Sequence, residues 1–144
     1  AFGEMLPRYD NFVEIDQQGR KDAWGIPVLK IDCKFGDNER EMAKHMVSSA
    51  QEMLESAGVS VNEVQGVPSE PGLAIHEAGT CRMGIDSRTS VLNPFNQCHD
   101  APNIFVTDGS SFPSVGVQNP VLTMVALTIR ACEYAVEQLR KGEI

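Results

Sequence analysis

Asn103-Ile-Phe-Val-Thr-Asp-Gly-Ser-Ser-Phe-Pro113, a short loop, then Gln118-Asn119-Pro120 and the apolar run Val121–Leu139 form the stretch that decides the architecture. Ile104-Phe-Val-Thr107 is short, β-prone and stopped by Asp108-Gly109, so it reads as a strand ending in a turn. Asn119 before Pro120 marks a helix start. Asn can cap free backbone amides, and Pro at the first helical position loses no hydrogen bond, because its missing N–H would be unpaired there anyway. From Val121 to Leu139 apolar residues lie on most sides and charges are few before Arg130. Such a helix is expected to be buried along much of its length. A strand, a loop and a helix offering its positive end can hold an anionic or electron-accepting group. On local pattern alone, a well-capped core helix is the better account of the stretch.

The totals narrow what surrounds it. A chain of 144 residues suffices for one domain with one modest core. The net charge is −8, with no stripe of Lys and Arg, which argues against a nucleic-acid partner. No stretch reaches the roughly 20 apolar residues that span a bilayer, so no membrane span is expected. Neither a signal peptide nor an initiator Met opens the chain, and Ala1-Phe-Gly-Glu-Met-Leu-Pro7 reads like the middle of a longer protein. Cys33, Cys81, Cys98 and Cys132 are too scattered for a CxxC metal site. The compartment stays open between cytoplasm and periplasm.

Upstream, Asn11–Asp16 and Leu29–Phe35 alternate apolar and polar residues and read as two strands, antiparallel because the connection is short. Gly36-Asp37 opens a helix over residues 37–57. Asp37 is the expected N-cap, and Gly58 the stop. Met42, Met46, Ala50, Met53 and Leu54 share one face of it, read as adaptable core packing rather than a binding surface. His45 lies off that face. Val67-Pro-Ser-Glu-Pro-Gly72 is a connector. His76-Glu-Ala-Gly-Thr-Cys-Arg-Met-Gly84 is a loop of small residues, and Ser90-Val-Leu-Asn-Pro-Phe-Asn96 a short strand and turn.

A His in a glycine-containing loop can reach a cleft and act as a general base near neutral pH, and His76 is so placed; on its local sequence alone, capping a turn is the better account of it. Cys81 with His76 or His99 would be a hydrolase pair, but the spacing matches no known signature. His76, Glu77, Cys81 and His99 could be read as zinc ligands, yet no second His follows His76-Glu77 at the zincin spacing. Neither GxxxxGK[ST] nor a GxGxxG after a strand is present, so no phosphate-cradling loop is visible.

His76-Glu-Ala-Gly-Thr-Cys-Arg-Met-Gly84 together with Asn103–Pro113 and Gln118-Asn119-Pro120-Val-Leu-Thr123 resembles the C-terminal region of the glucose–methanol–choline (GMC) flavin oxidoreductases. The bacterial sugar-dehydrogenase branch, with its glucoside 3- and gluconate-type dehydrogenases, is the most similar. The match is strongest over residues 73–140, and Asn11–Asp16 and Asp22-Ala-Trp-Gly-Ile-Pro27 extend it over nearly the whole chain. The resemblance implies an α+β fold: a mainly antiparallel sheet with packed helices, plus the last strand and helix of a flavin domain. It divides the chain into a substrate-domain part, 1–102, and a closing strand and helix, 103–144, within one C-terminal domain. It implies that His76 is the catalytic base and Asn119 the second active-site residue. Asp108, Gly109 and Ser110 would border the flavin. Asn119, Pro120 and Val121 would lie under the pyrimidine end of its ring.

The cofactor so implied is FAD, and the substrate a sugar or alcohol whose CH–OH group is oxidised. The family's glycine-rich Rossmann-type unit does not occur in this sequence. The chain is therefore expected to need an N-terminal flavin domain of the same protein as partner and to be inactive alone. An electron-acceptor protein and a homodimer through exposed apolar surface are further partners under this reading. A binding module that kept the scaffold and lost the chemistry is the competing class; the intact pair of His76 and Asn119 distinguishes the enzyme.

Overall fold

The structure, a computed structural model, describes residues 1–144. It divides into two compact units, Ala1–Leu73 and Ala74–Ile144.

In the first unit, β1 (Phe12–Ile15) and β2 (Leu29–Asp32) form an antiparallel pair, with Val13 opposite Ile31 and Glu14 opposite Lys30. The Lys30 ammonium reaches Glu14 at 2.9 Å and lies 5.3 Å from the centre of the Phe12 ring. The second strand was expected to run to Phe35 but ends at Asp32. Beyond it the Asn11 side chain takes over the ladder, donating to Lys34 O at 3.1 Å and accepting from Lys34 N at 2.9 Å. The connection holds its own shape through Asp16, which is buried and accepts three bonds from Arg20, through its backbone N, Nε and Nη2.

Helix α1 (Asp37–Ser56) starts where expected, but Gly36, not Asp37, is the N-cap. Glu39 explains the shift. Its carboxylate accepts from Gly36 N at 2.7 Å and from Leu6 N at 3.2 Å, so an acidic residue in the third helical position does the capping that the first residue was assigned. Gly58, at φ 79°, ends the helix as expected, with Val59 N bonded to Leu54 O and Gly58 N to Glu55 O. Met42 and Met46 are half-buried and pack on Gly3, where a Cβ would sit 2.7 Å from Met42 Cε and 3.0 Å from Met46 Sδ. Core packing thus accounts for the first half of the methionine stripe, whereas Met53 and Leu54 stay exposed.

Burial pushes the Glu39 carboxyl up, but the bonds from Gly36, Leu6 and Asn38 outweigh it and hold the group below its usual 4.5. A lowered folded value means the stabilisation is complete above the unfolded value and is lost as pH falls through the folded one. Glu39→Gln is expected to flatten the acid limb of a urea-midpoint profile taken between about pH 3 and 6, and to lower stability by about 1 kcal/mol at neutral pH.

The second unit contains one turn of 3₁₀ helix (Gly109–Ser111) and α2 (Val121–Lys141), and is otherwise built from irregular segments. The strand expected at 104–107 is not formed. Cys98 N bonds Ile104 O, Val106 N bonds Asn96 O, and Phe105 makes a single bridge to Gln97. A four-residue run becomes a strand only with a partner of matching length, and a tight turn supplies just three residues here. The sheet therefore comprises only two strands, with single bridges elsewhere, and the mainly antiparallel sheet is found only to that extent.

Nor is α2 buried along most of its length. One stripe is covered: Thr128, Ala131, Tyr134 and Gln138, with Ala131 fully enclosed. Phe95 stacks on Tyr134 at 4.3 Å between ring centres, and Arg130 donates to Pro94 O. On other sides Leu122, Val125, Ile129, Val136 and Leu139 are exposed, Leu122 by 82%. The helix is apolar on two faces, and its unit covers one.

Candidate active site

The loop carrying His76 begins with strain. Ile75 has φ 67°, a region β-branched residues seldom occupy, and Ala74 N bonds the Glu77 carboxylate at 3.2 Å. His76 itself is half-buried. Beyond it the chain is laced to the Asp108 turn by three bonds in succession: Gly79 N to Gly109 O at 3.2 Å, Cys81 N to Ser110 O at 2.9 Å and Met83 N to Ser111 O at 2.9 Å. Gly79 needs its glycine, since its φ is 90° and a Cβ would lie 3.4 Å from Phe112 O.

The turn is stabilised by its own side chains. Asp108 accepts from Ser110 N at 2.9 Å and from the Ser110 hydroxyl in a short bond. The Ser110 hydroxyl, with its backbone N–H, holds the Asp108 carboxyl below the usual aspartate range. Ser111 is fully buried and donates from Oγ to Asp108 O at 2.9 Å. The Asp108 carboxylate is thus spent on its own turn.

Helix α2 meets the same turn. Thr128 Oγ1 donates to Thr107 O at 3.2 Å and to Met124 O at 2.8 Å. A Cβ on Gly109 would lie 3.7 Å from Met124 Sδ and 3.3 Å from Glu77 O. Gly109→Ala must therefore push the backbone beside His76 by a few tenths of an ångström. It is expected to destabilise by about 1 kcal/mol, read as a lowered urea midpoint.

At the start of α2, Pro120 is buried and occupies the N-cap, not the first helical position, and no side chain caps the helix. The capping role expected of Asn119 is not found, because Pro120 separates it from the first turn. The first bond is Met124 N to Pro120 O at 2.9 Å, which leaves the N–H groups of Val121, Leu122 and Thr123 without intrahelical partners. Asn119 and Val121 are exposed.

The structure thus bonds the segment after His76 to residues 109–111, and α2 to Thr107 through Thr128. Of the other sequence candidates, Glu77 and Cys81 lie in the His76 loop itself, while His99 is engaged elsewhere. His99 Nε2 faces Ser90 Oγ at 3.1 Å and Gly84 O at 3.2 Å. A carbonyl can only accept, so Nε2 carries the proton and is not a free base there. No three His, Cys, Asp or Glu side chains converge as metal ligands. Two concavities, of about 400 and 290 Å³, are lined by neither His76, which is half-buried, nor Asn119, which is exposed.

A family model for GMC oxidoreductase matches residues 7–128. The chain belongs to the GMC oxidoreductase family. It is similar to 2-methyl-1,2-propanediol dehydrogenase of Mycolicibacterium austroafricanum, 37% identical over 92% of this chain and 24% of that one. It is also similar to the gluconate 2-dehydrogenase flavoprotein of Pantoea cypripedii, at 30% over 92% and 22%, and to the fructose dehydrogenase large subunit of Gluconobacter japonicus, at 30% over 96% and 25%. The chain spans about a quarter of the length of these curated relatives. The GMC resemblance read from the two motifs is thereby established, and those motifs are the ones the hydrogen bonds join.

Sequence reasoning missed Asn96. It is fully buried at φ 64°, donates from Nδ2 to Val106 O at 2.9 Å and accepts Val106 N on its backbone oxygen at 3.0 Å. Asn93-Pro94 announced a turn; that the Asn three positions after Asn93 would turn inward had no sequence signal. No helix of the chain is long and apolar enough to cross a membrane.

Proposed function

We propose that this chain is the substrate-facing, C-terminal part of a flavoprotein that oxidises a CH–OH group of a sugar or polyol, with His76 as base. The observation that carries the reading is the succession of bonds from residues 79, 81 and 83 to residues 109, 110 and 111, which ties the segment following the candidate base to the turn that would border a flavin. One feature fits FAD at this place. The N–H groups of Val121, Leu122 and Thr123 have no intrahelical partner at the positive end of α2, where negative charge is favoured.

The flavin would supply the hydride acceptor. A neutral imidazole at His76 takes the substrate hydroxyl proton as hydride leaves the same carbon. Asn119, released from capping, donates a hydrogen bond to the substrate oxygen and orients it. Asp108, Gly109, Ser110, Pro120 and Val121 form the border on the cofactor side.

A longer protein supplies the remaining cofactor contacts under this reading, and the exposed apolar face of α2 is the surface through which it is met. The 144 residues alone are then expected to hold no stoichiometric FAD. Mixing the purified chain with FAD and separating free cofactor by gel filtration tests this. A one-to-one flavin spectrum in the protein fraction would contradict it.

A further inference from the structure

We propose that Asn96 is a positioning residue for this site: its side chain holds residues 104–107 in place of a partner strand and thereby fixes the Asp108 turn against the His76 loop. The proposal rests on the functional reading above. Val106 has both backbone polar groups taken by Asn96, N–H by the backbone oxygen and C=O by Nδ2. Two residues later Asp108 begins the turn whose carbonyls at Gly109, Ser110 and Ser111 accept from the segment after His76. A shift of Val106 is therefore passed on to both sides of the candidate site.

The orientation of the amide is determined by its surroundings. Val106 O can only accept, so the group facing it is the NH₂. That leaves Oδ1 buried with no hydrogen-bond partner in the chain. An unpaired buried acceptor costs more than one neutral hydrogen bond returns. The Asn96 side chain is thus not a net contributor to stability. What it supplies is geometry, from a left-handed backbone conformation that Asn tolerates and Gly adopts freely.

Asn96→Gly keeps the backbone half of the clamp and removes the side-chain half. In the full-length, flavin-loaded protein it is expected to lower the urea midpoint only slightly, because loss of the bond to Val106 O is offset by removal of the unpaired Oδ1. The Gly79 and Cys81 amides should exchange with solvent about tenfold faster, while those of α1 do not change. Flavin reduction by substrate, per bound flavin, should slow about tenfold. Asn96→Asp retains the shape but sets a carboxylate against Val106 O, and is expected to have the larger effect on both readouts. Unchanged exchange and unchanged rate in the glycine variant would overturn the proposal. So would a markedly lowered midpoint with faster exchange throughout, or failure of both variants to fold, since each marks a merely structural residue. Wild-type protein without flavin reduction would reject the functional reading first, and this proposal with it.

Discussion

His76→Ala in the full-length flavoprotein is expected to retain bound flavin and to reduce it with substrate about 10²–10⁴-fold more slowly, the range a positioned general base contributes. Retention follows from the geometry. The flavin-side contacts proposed here are backbone groups and the turn at Asp108, none of which uses the imidazole. The bonds that hold the loop come from Gly79, Cys81 and Met83 and survive removal of the side chain. The defect should therefore fall on chemistry rather than on cofactor content. Anaerobic stopped-flow at the flavin absorbance reads the rate, and the spectrum before mixing reads the content. Equal rates in variant and wild type would assign the base elsewhere. His99 is poorly suited, since its Nε2 already donates to Gly84 O.

Leu92→Ala is expected to destabilise the protein by about 2–5 kcal/mol, the range for a fully buried leucine whose surroundings cannot collapse. Leu92 has no exposed surface and bridges two segments, Met83 on one side and Cys98 on the other. Gly84 N also bonds its carbonyl at 2.8 Å. The measure is the urea midpoint at constant m-value. A loss under about 1 kcal/mol would show that the second unit does not depend on this centre.

The sequence made the regular elements readable where local signals agree. Gly58 ends α1 because a left-handed residue closes it, and the alternation in Phe12–Ile15 and Leu29–Asp32 marks the two strands that pair, although Ile15, Leu29 and Ile31 stay exposed. It misled where a residue's role depends on a distant partner. Ile104–Thr107 has strand chemistry and no strand to pair with. Pro120 takes the cap position, so Asn119 is freed. Glu39 caps from within the helix while also holding Leu6, a contact 33 residues away in sequence. For the candidate site, the two motifs were readable as family signatures. The bonds joining them run between backbone groups, which carry no side-chain signal, and the buried clamp at Asn96 depends on a turn folding inward.

The central claim is tested most directly by the visible spectrum of the full-length protein before and after anaerobic addition of sugars and polyols. The account predicts a flavin band near ~450 nm that bleaches with at least one CH–OH substrate. A protein without flavin, or a band that no sugar or polyol bleaches, would contradict it.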